Sequence, residues 1–133
     1  MKKTFFHGII AGLLAAVAGI IYLNIYQNTL GTGFNKIINP GSISGVSLIA
    51  CMLMALSYWA LEKFNKERLK GWINIIIALL SFASILSPIS MSLPLDIKNP
   101  ELFPGLAVPM HFFPAIAFFC LVPFFKETVQ KEK

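Results

Sequence analysis

Residues 5–26 read FFHGIIAGLLAAVAGIIYLNIY, a run of 22 residues without a charged side chain. A helix needs about 20 mostly apolar residues to cross the hydrocarbon core of a bilayer. The apolar core of a secretory signal peptide is shorter, about 7–15 residues. We therefore expect this run to be a retained membrane span, although Lys2 and Lys3 precede it as they would precede a signal peptide.

Three further apolar runs follow along the chain. The sequence is 56% hydrophobic and only 13% charged, whereas soluble domains carry about 25% charged residues. We predict an all-α, polytopic membrane protein, a four-transmembrane-helix bundle that forms one membrane domain over residues 1–133. The predicted helices cover about residues 5–26, 43–61, 71–87 (or to 93) and 106–125.

The basic residues predict the orientation of this bundle. Nine of the 11 Lys and Arg residues fall on one side of the predicted spans, and only Lys36 and Lys98 fall on the other. Positive charge in short loops marks the cytoplasmic side. We therefore expect both termini and the 62–70 loop in the cytoplasm of a bacterium, with the chain multi-pass in the inner membrane. The net charge of +5 then reflects orientation, and nucleic acid is not an expected partner.

Prolines and small residues predict how the helices bend and pack. Pro88 should end or kink the third helix, and Pro109 and Pro114 should kink the start of the fourth. Small residues at spacings of three and four let membrane helices approach closely. Within the bundle, or between two copies of the chain, we expect close packing at Gly8, Gly12, Ala15 and Gly19, and a similar face on the second helix at Ser44, Ser47, Ala50 and Ala55.

Several classes of function lack their usual residues. No Asp, Glu, Lys or Arg lies deep in a predicted span, and ion-coupled carriers need such groups. Small multidrug exporters also have four helices, but they depend on an acidic residue in their first helix. No nucleophile motif, phosphate-binding loop or metal-ligand spacing is present. We expect no catalytic residue, no metal and no cofactor. Asn24 and Asn74 are expected to bond to neighbouring helices, and Cys51 and Cys120 to be small packing residues.

His111 is the best single candidate for a functional residue. It follows a loop with two carboxylates, Asp96 and Glu101, and it precedes two aromatic rings, Phe112 and Phe113. An imidazole with carboxylates near a membrane interface can bind a metal, a quinone or a lipid headgroup. We hypothesise a ligand site with a polar rim and an apolar floor. The alternative is an interfacial histidine that lipid headgroups solvate.

Three short strings carry a resemblance: SFASIL at 81–86, LPLD at 93–96 and PELFPG at 100–105. With them the chain resembles small four-helix bacterial membrane proteins that are grouped as a domain of unknown function. This resemblance implies no activity, cofactor or site residue.

Three functions remain open. The first is a non-enzymatic accessory or structural component, which has the lipid bilayer and either a second copy or another membrane protein as partners. The second is a small carrier or channel for an apolar or neutral solute. The third is a membrane redox or lipid-modifying enzyme that uses His111.

The charge distribution gives a direct test of topology. Reporter fusions at the N-terminus, in the 62–70 loop and at the C-terminus should report the cytoplasm, because these segments hold most of the Lys and Arg residues. Reporters beside Lys36 and Lys98 should report the opposite side. Reversed labelling at any one of the five positions would contradict the orientation.

Overall fold

The computed structural model describes residues 2–94, 97 and 99–125. Over these residues the regular structure is all helical, and four helical segments are long and apolar enough to cross a membrane. The predicted all-α, four-span architecture is therefore confirmed. The segments are the first span Lys3–Leu30, the second span Pro40–Lys63, the third span Glu67–Ser90 and the fourth span Pro100–Phe125.

The first two spans are unbroken helices. They are α1 (Lys2–Leu30) and α2 (Pro40–Lys63). Helix α2 begins at Pro40. Proline suits the first turn of a helix, where its missing N–H is not needed. Asn39 caps this turn: its Oδ1 accepts from the Ser42 N–H at 2.9 Å, and its own N–H donates to the Ser42 hydroxyl at 3.1 Å. This reciprocal cap fixes the point at which the chain re-enters the bundle.

The last two spans are each broken into two helices. The third span contains α3 (Lys70–Ser84) and α4 (Leu86–Ser90), after a short 3-10 turn. The fourth contains α5 (Phe103–Met110) and α6 (Phe113–Phe125), also after a 3-10 turn.

Proline accounts for both breaks. A proline ring clashes with the carbonyl four residues before it and supplies no N–H to that carbonyl. Four residues before Pro88 is Ser84, and four before Pro114 is Met110. These are the residues at which α3 and α5 end. The predicted kinks at Pro88 and Pro114 are confirmed, whereas Pro109 lies inside α5 and does not end it.

The spans alternate in direction, and the second and fourth spans pack against the first. One end of the bundle, here called the basic end, holds Lys3, the 64–66 connection and Phe125, and the other, the loop end, holds residues 31–39 and 91–94. Tyr22 and Tyr26 donate to backbone carbonyls of the fourth span at 2.9 and 2.7 Å. Near the basic end, the Tyr58 hydroxyl donates to Asn74 at 2.5 Å and so joins the second span to the third.

The two asparagines differ in their role. Asn74 bonds to the neighbouring second span as expected, but Asn24 donates to the Ile20 carbonyl of its own helix. A side-chain amide in a membrane helix can bond to a neighbouring helix or to its own backbone, and the sequence alone does not distinguish these two arrangements.

Small residues bring α1 against α2. A Cβ atom on Gly8 would lie 2.8 Å from the Ala55 Cβ, and one on Gly12 would lie 2.9 Å from the Leu48 Cα. At Gly19 the corresponding distance to Ile43 Cγ2 is 2.7 Å, and Ala15 is buried in the same stripe. The small-residue face is thus filled within one chain, and it is not open to a second copy while the bundle is intact.

The close approach at Gly12 predicts a large effect of one methyl group. Gly12→Ala should destabilise the bundle by about 1–3 kcal/mol, because the new Cβ meets backbone atoms of α2 that cannot move alone. Gly45→Ala is the matched control, since a Cβ on Gly45 meets no atom within 4 Å. Thermal unfolding in detergent measures both variants. Equal midpoints for Gly12→Ala and the wild type would contradict the packing.

Candidate functional site

A groove runs between the second, third and fourth spans. Its volume is about 520 Å³, within the range of about 300–1,000 Å³ that is usual for ligand sites. The third span is the least buried of the four: 17% of its most apolar window is buried, against 39% for the first span. The groove lies beside it. Its walls are mostly aliphatic, with five serines and His111 among the lining residues.

The groove is long and narrow. On α2 its lining extends from Ser42 to Ser57, and 15 residues of helix rise about 22 Å. An extended hydrocarbon chain can therefore lie along the groove over this length.

Three polar residues from three spans lie at about the same depth in this groove, and we call them the polar girdle: Ser47, Ser84 and His111. The Cys51 thiol contacts the Pro114 carbonyl at 3.5 Å. The second and fourth spans run parallel. Ser47 and His111 therefore both lie about one turn nearer to the loop end than this contact. The rings of Phe82 and Phe112 meet at 5.0 Å, which brings Ser84 to the same depth.

Two girdle residues owe their place to the proline breaks. Beside the break in the fourth span, the His111 backbone N–H donates to Val108 at 3.2 Å. The Ala107 carbonyl, its partner in an unbroken helix, accepts the imidazole Nδ1–H at 2.8 Å instead. In the third span the Ile85 N–H likewise donates to the Phe82 carbonyl, and the Ser84 hydroxyl donates to the Ser81 carbonyl at 2.8 Å.

Ser47 differs from these two. Its exposed fraction is 6%, and its hydroxyl has no hydrogen-bond partner among the residues that the structure describes. Other serines of the spans, such as Ser44, Ser57 and Ser81, donate to the carbonyl four residues earlier. Ser47 lines the groove, and its hydroxyl is not one of the fully buried unpaired atoms, which are Gln27 Nε2 and Thr32 Oγ1 among the described residues. The hydroxyl is therefore accessible and available to a molecule in the groove.

The residues of the site predicted around His111 are spread over the loop end. Asp96 lies outside the described residues. Glu101 is exposed in the 3-10 turn Pro100–Leu102, and ten residues of helical rise, about 15 Å, separate it from His111. Phe112 contacts Phe82 of the third span, whereas Phe113 meets Tyr22 of the first. The two rings therefore face different neighbours and do not form one floor beneath His111.

The other histidine has a structural place. His7 is 2% exposed, and its Nε2–H donates to the Phe118 carbonyl at 2.9 Å. Its ring stacks on Phe118 and on Phe125, with centroids 4.2 and 4.8 Å away. These contacts join α1 to α6 near the basic end. No pattern in the sequence predicts that the His7 imidazole is more deeply buried than that of His111.

A polar network lies at the basic end beside His7 and connects three spans. Glu62 accepts from the Thr4 hydroxyl at 3.0 Å and from the Lys70 ammonium at 3.2 Å. The same ammonium lies 3.6 Å from Glu67 and 5.7 Å from the centre of the Tyr58 ring. Because each of these groups has a partner, we interpret the network as a clasp between the first, second and third spans.

Comparisons with known proteins do not extend this description. No family model, curated protein or solved structure matches the chain. The resemblance of residues 81–105 to a domain of unknown function stays a prediction, and the groove itself is the basis for an assignment of function.

The polar girdle can be tested by cross-linking. In a background with Cys51→Ala and Cys120→Ala, the pair Ser47→Cys and His111→Cys should be joined by a short, membrane-permeant bifunctional thiosulfonate, because the two positions face one groove at one depth. The pair Ser57→Cys and His111→Cys should not, since Ser57 lies ten residues, about 15 Å, further along α2. Equal yields from the two pairs would contradict the girdle.

Proposed function

We propose that the chain is a membrane-embedded binding protein for a small apolar or amphipathic molecule, which it holds in the groove between the second, third and fourth spans. The single observation behind this proposal is the groove itself: about 520 Å³, aliphatic walls and a few polar groups at one depth. Ligand sites typically combine these features.

The shape of the groove favours a chain-like occupant. It extends over about 22 Å of α2, and large aliphatic side chains line it on both sides, including Val46, Leu53, Met54, Ile77 and Leu80. A lipid-like molecule with one extended hydrocarbon chain matches this length and surface. Such molecules are also at high concentration around a protein that spans a bilayer.

This proposal is related to the second function inferred from the sequence, a small carrier or channel for an apolar or neutral solute, but it assigns binding and not transport. It is compatible with an accessory role, because an accessory membrane protein can act by holding a lipid. We do not favour the enzyme hypothesis, since the described groove residues supply no carboxylate or thiol beside His111.

We further propose a bacterial inner membrane as the location, with both termini in the cytoplasm. The excess of Lys and Arg on one side of the spans supports this orientation. The basic end would then lie at the cytoplasmic surface, and the polar girdle would lie nearer to the opposite surface.

Filling the groove provides the test of binding. A hydrocarbon probe that carries a photoreactive diazirine should label residues of the groove in the full chain reconstituted in lipid nanodiscs. Ala50→Trp should reduce this labelling roughly tenfold or more, a change of about 1.4 kcal/mol or more in binding free energy, because the indole occupies the groove. Mass spectrometry of the labelled peptides provides the measurement.

The matched control is Ala83→Trp. Ala83 is exposed on α3 and does not line the groove, so labelling should be unchanged. Labelling that is spread evenly over lipid-facing residues, and that Ala50→Trp does not alter, would overturn the proposal.

A further inference from the structure

The hydrogen-bonding capacity of the polar girdle is unequal. The Ser84 hydroxyl and the His111 Nδ1–H both donate to backbone carbonyls. What each can still offer is an acceptor: the oxygen lone pairs of the serine, and the Nε2 of the imidazole when Nδ1 carries its single proton. The Ser81 hydroxyl, one turn from Ser84, is also used as a donor. The girdle therefore offers several acceptors to a ligand.

Ser47 adds the one uncommitted donor. A serine hydroxyl can donate one hydrogen bond and accept others, and that of Ser47 does neither within the described structure. It faces the same groove as Ser84 and His111. A ligand group placed among the three meets two acceptors and one group that both donates and accepts.

Charge narrows the class of ligand. Among the described residues that line the groove, none is Asp, Glu, Lys or Arg. A carboxylate or phosphate would meet acceptor atoms with no cation to balance it, and a buried ion without a partner is strongly unfavourable. An ammonium group would lack a counter-charge. A neutral group that both donates and accepts is complementary to the girdle.

We infer that the ligand of the groove is a long-chain molecule with a neutral hydroxyl group, held between Ser47 and His111. The inference rests on the proposed binding function and adds the chemical class of the ligand. The hydroxyl donates to the Nε2 of His111, and its oxygen accepts from Ser47. The hydrocarbon chain follows the groove from the girdle toward Ser57, over ten residues or about 15 Å of α2, against Leu53, Met54 and Leu80.

The test compares three competitors of one chain length against a diazirine-bearing hexadecanol in nanodiscs that contain the full chain. Hexadecanol both donates and accepts, hexadecyl methyl ether only accepts, and hexadecanoate is charged. Hexadecanol should displace the probe at about a threefold to tenfold lower mole fraction than the ether, in keeping with the strength of one hydrogen bond within a membrane. Hexadecanoate should compete more weakly than hexadecanol.

Ser47→Ala identifies the residue responsible. It should weaken competition by hexadecanol about threefold or more, and it should leave the unfolding temperature close to that of the wild type, since the hydroxyl has no partner to lose. Ser44→Ala is the matched control: Ser44 lies on the same helix, donates to Pro40 and does not line the groove. It should leave competition unchanged.

The failures are distinguishable. Equal competition by the alcohol and the ether, stronger competition by hexadecanoate, or an unchanged response in Ser47→Ala would overturn the hydroxyl inference, while specific labelling of the groove would still support the binding function. If no competitor displaces the probe and Ala50→Trp does not reduce labelling, both the inference and the proposed function are wrong.

Discussion

Backbone groups inside a bilayer must find hydrogen-bond partners within the protein, because the hydrocarbon core offers no water. The site depends on this constraint. Pro88 and Pro114 each interrupt a membrane helix, and near each break one backbone N–H shifts to the carbonyl three residues earlier. Ser84 and His111 donate to the carbonyls thus released, at 2.8 Å in both cases. The side chains that satisfy the released carbonyls are thereby polar groups of an otherwise mostly aliphatic groove.

The groove itself follows from unequal packing among the spans. Glycine and alanine bring α1 and α2 so close that a single Cβ at Gly12 would overlap the partner backbone. The fourth span is held to the first by the tyrosine hydroxyls and by His7. The third span has fewer small residues on its inner face, and its described contacts concentrate near Asn74 and Phe82. Between these contacts a gap remains beside α2, and Ile77 and Leu80 of α3 line it.

Local patterns in the sequence predicted the architecture well, and the site much less well. Four apolar runs predicted the spans, and the prolines predicted the helix breaks, because the length of a run and the backbone chemistry of proline are local properties. Pro109 and Pro114 look alike in sequence, however, and only Pro114 ends a helix. Ser47 was interpreted as a packing residue, since its lack of a partner depends on the relative depth of three helices. Four serines spaced by three, from Ser81 to Ser90, were the available signal for a polar lining beside Pro88.

The unpaired hydroxyl of Ser47 makes a binding role more convincing than a purely structural one. Among the described residues, the fully buried side-chain atoms without a partner are Gln27 Nε2 and Thr32 Oγ1, whereas Ser47 lines the groove, where a bound molecule can reach its hydroxyl. The neighbouring serines donate to their own helix. A hydroxyl that remains unpaired in a groove 520 Å³ in volume, at the depth of two capped helix breaks, is best accounted for by a ligand that pairs with it. The same ligand would join the loosely packed third span to the rest of the bundle, so that binding and the completion of the fold would be coupled.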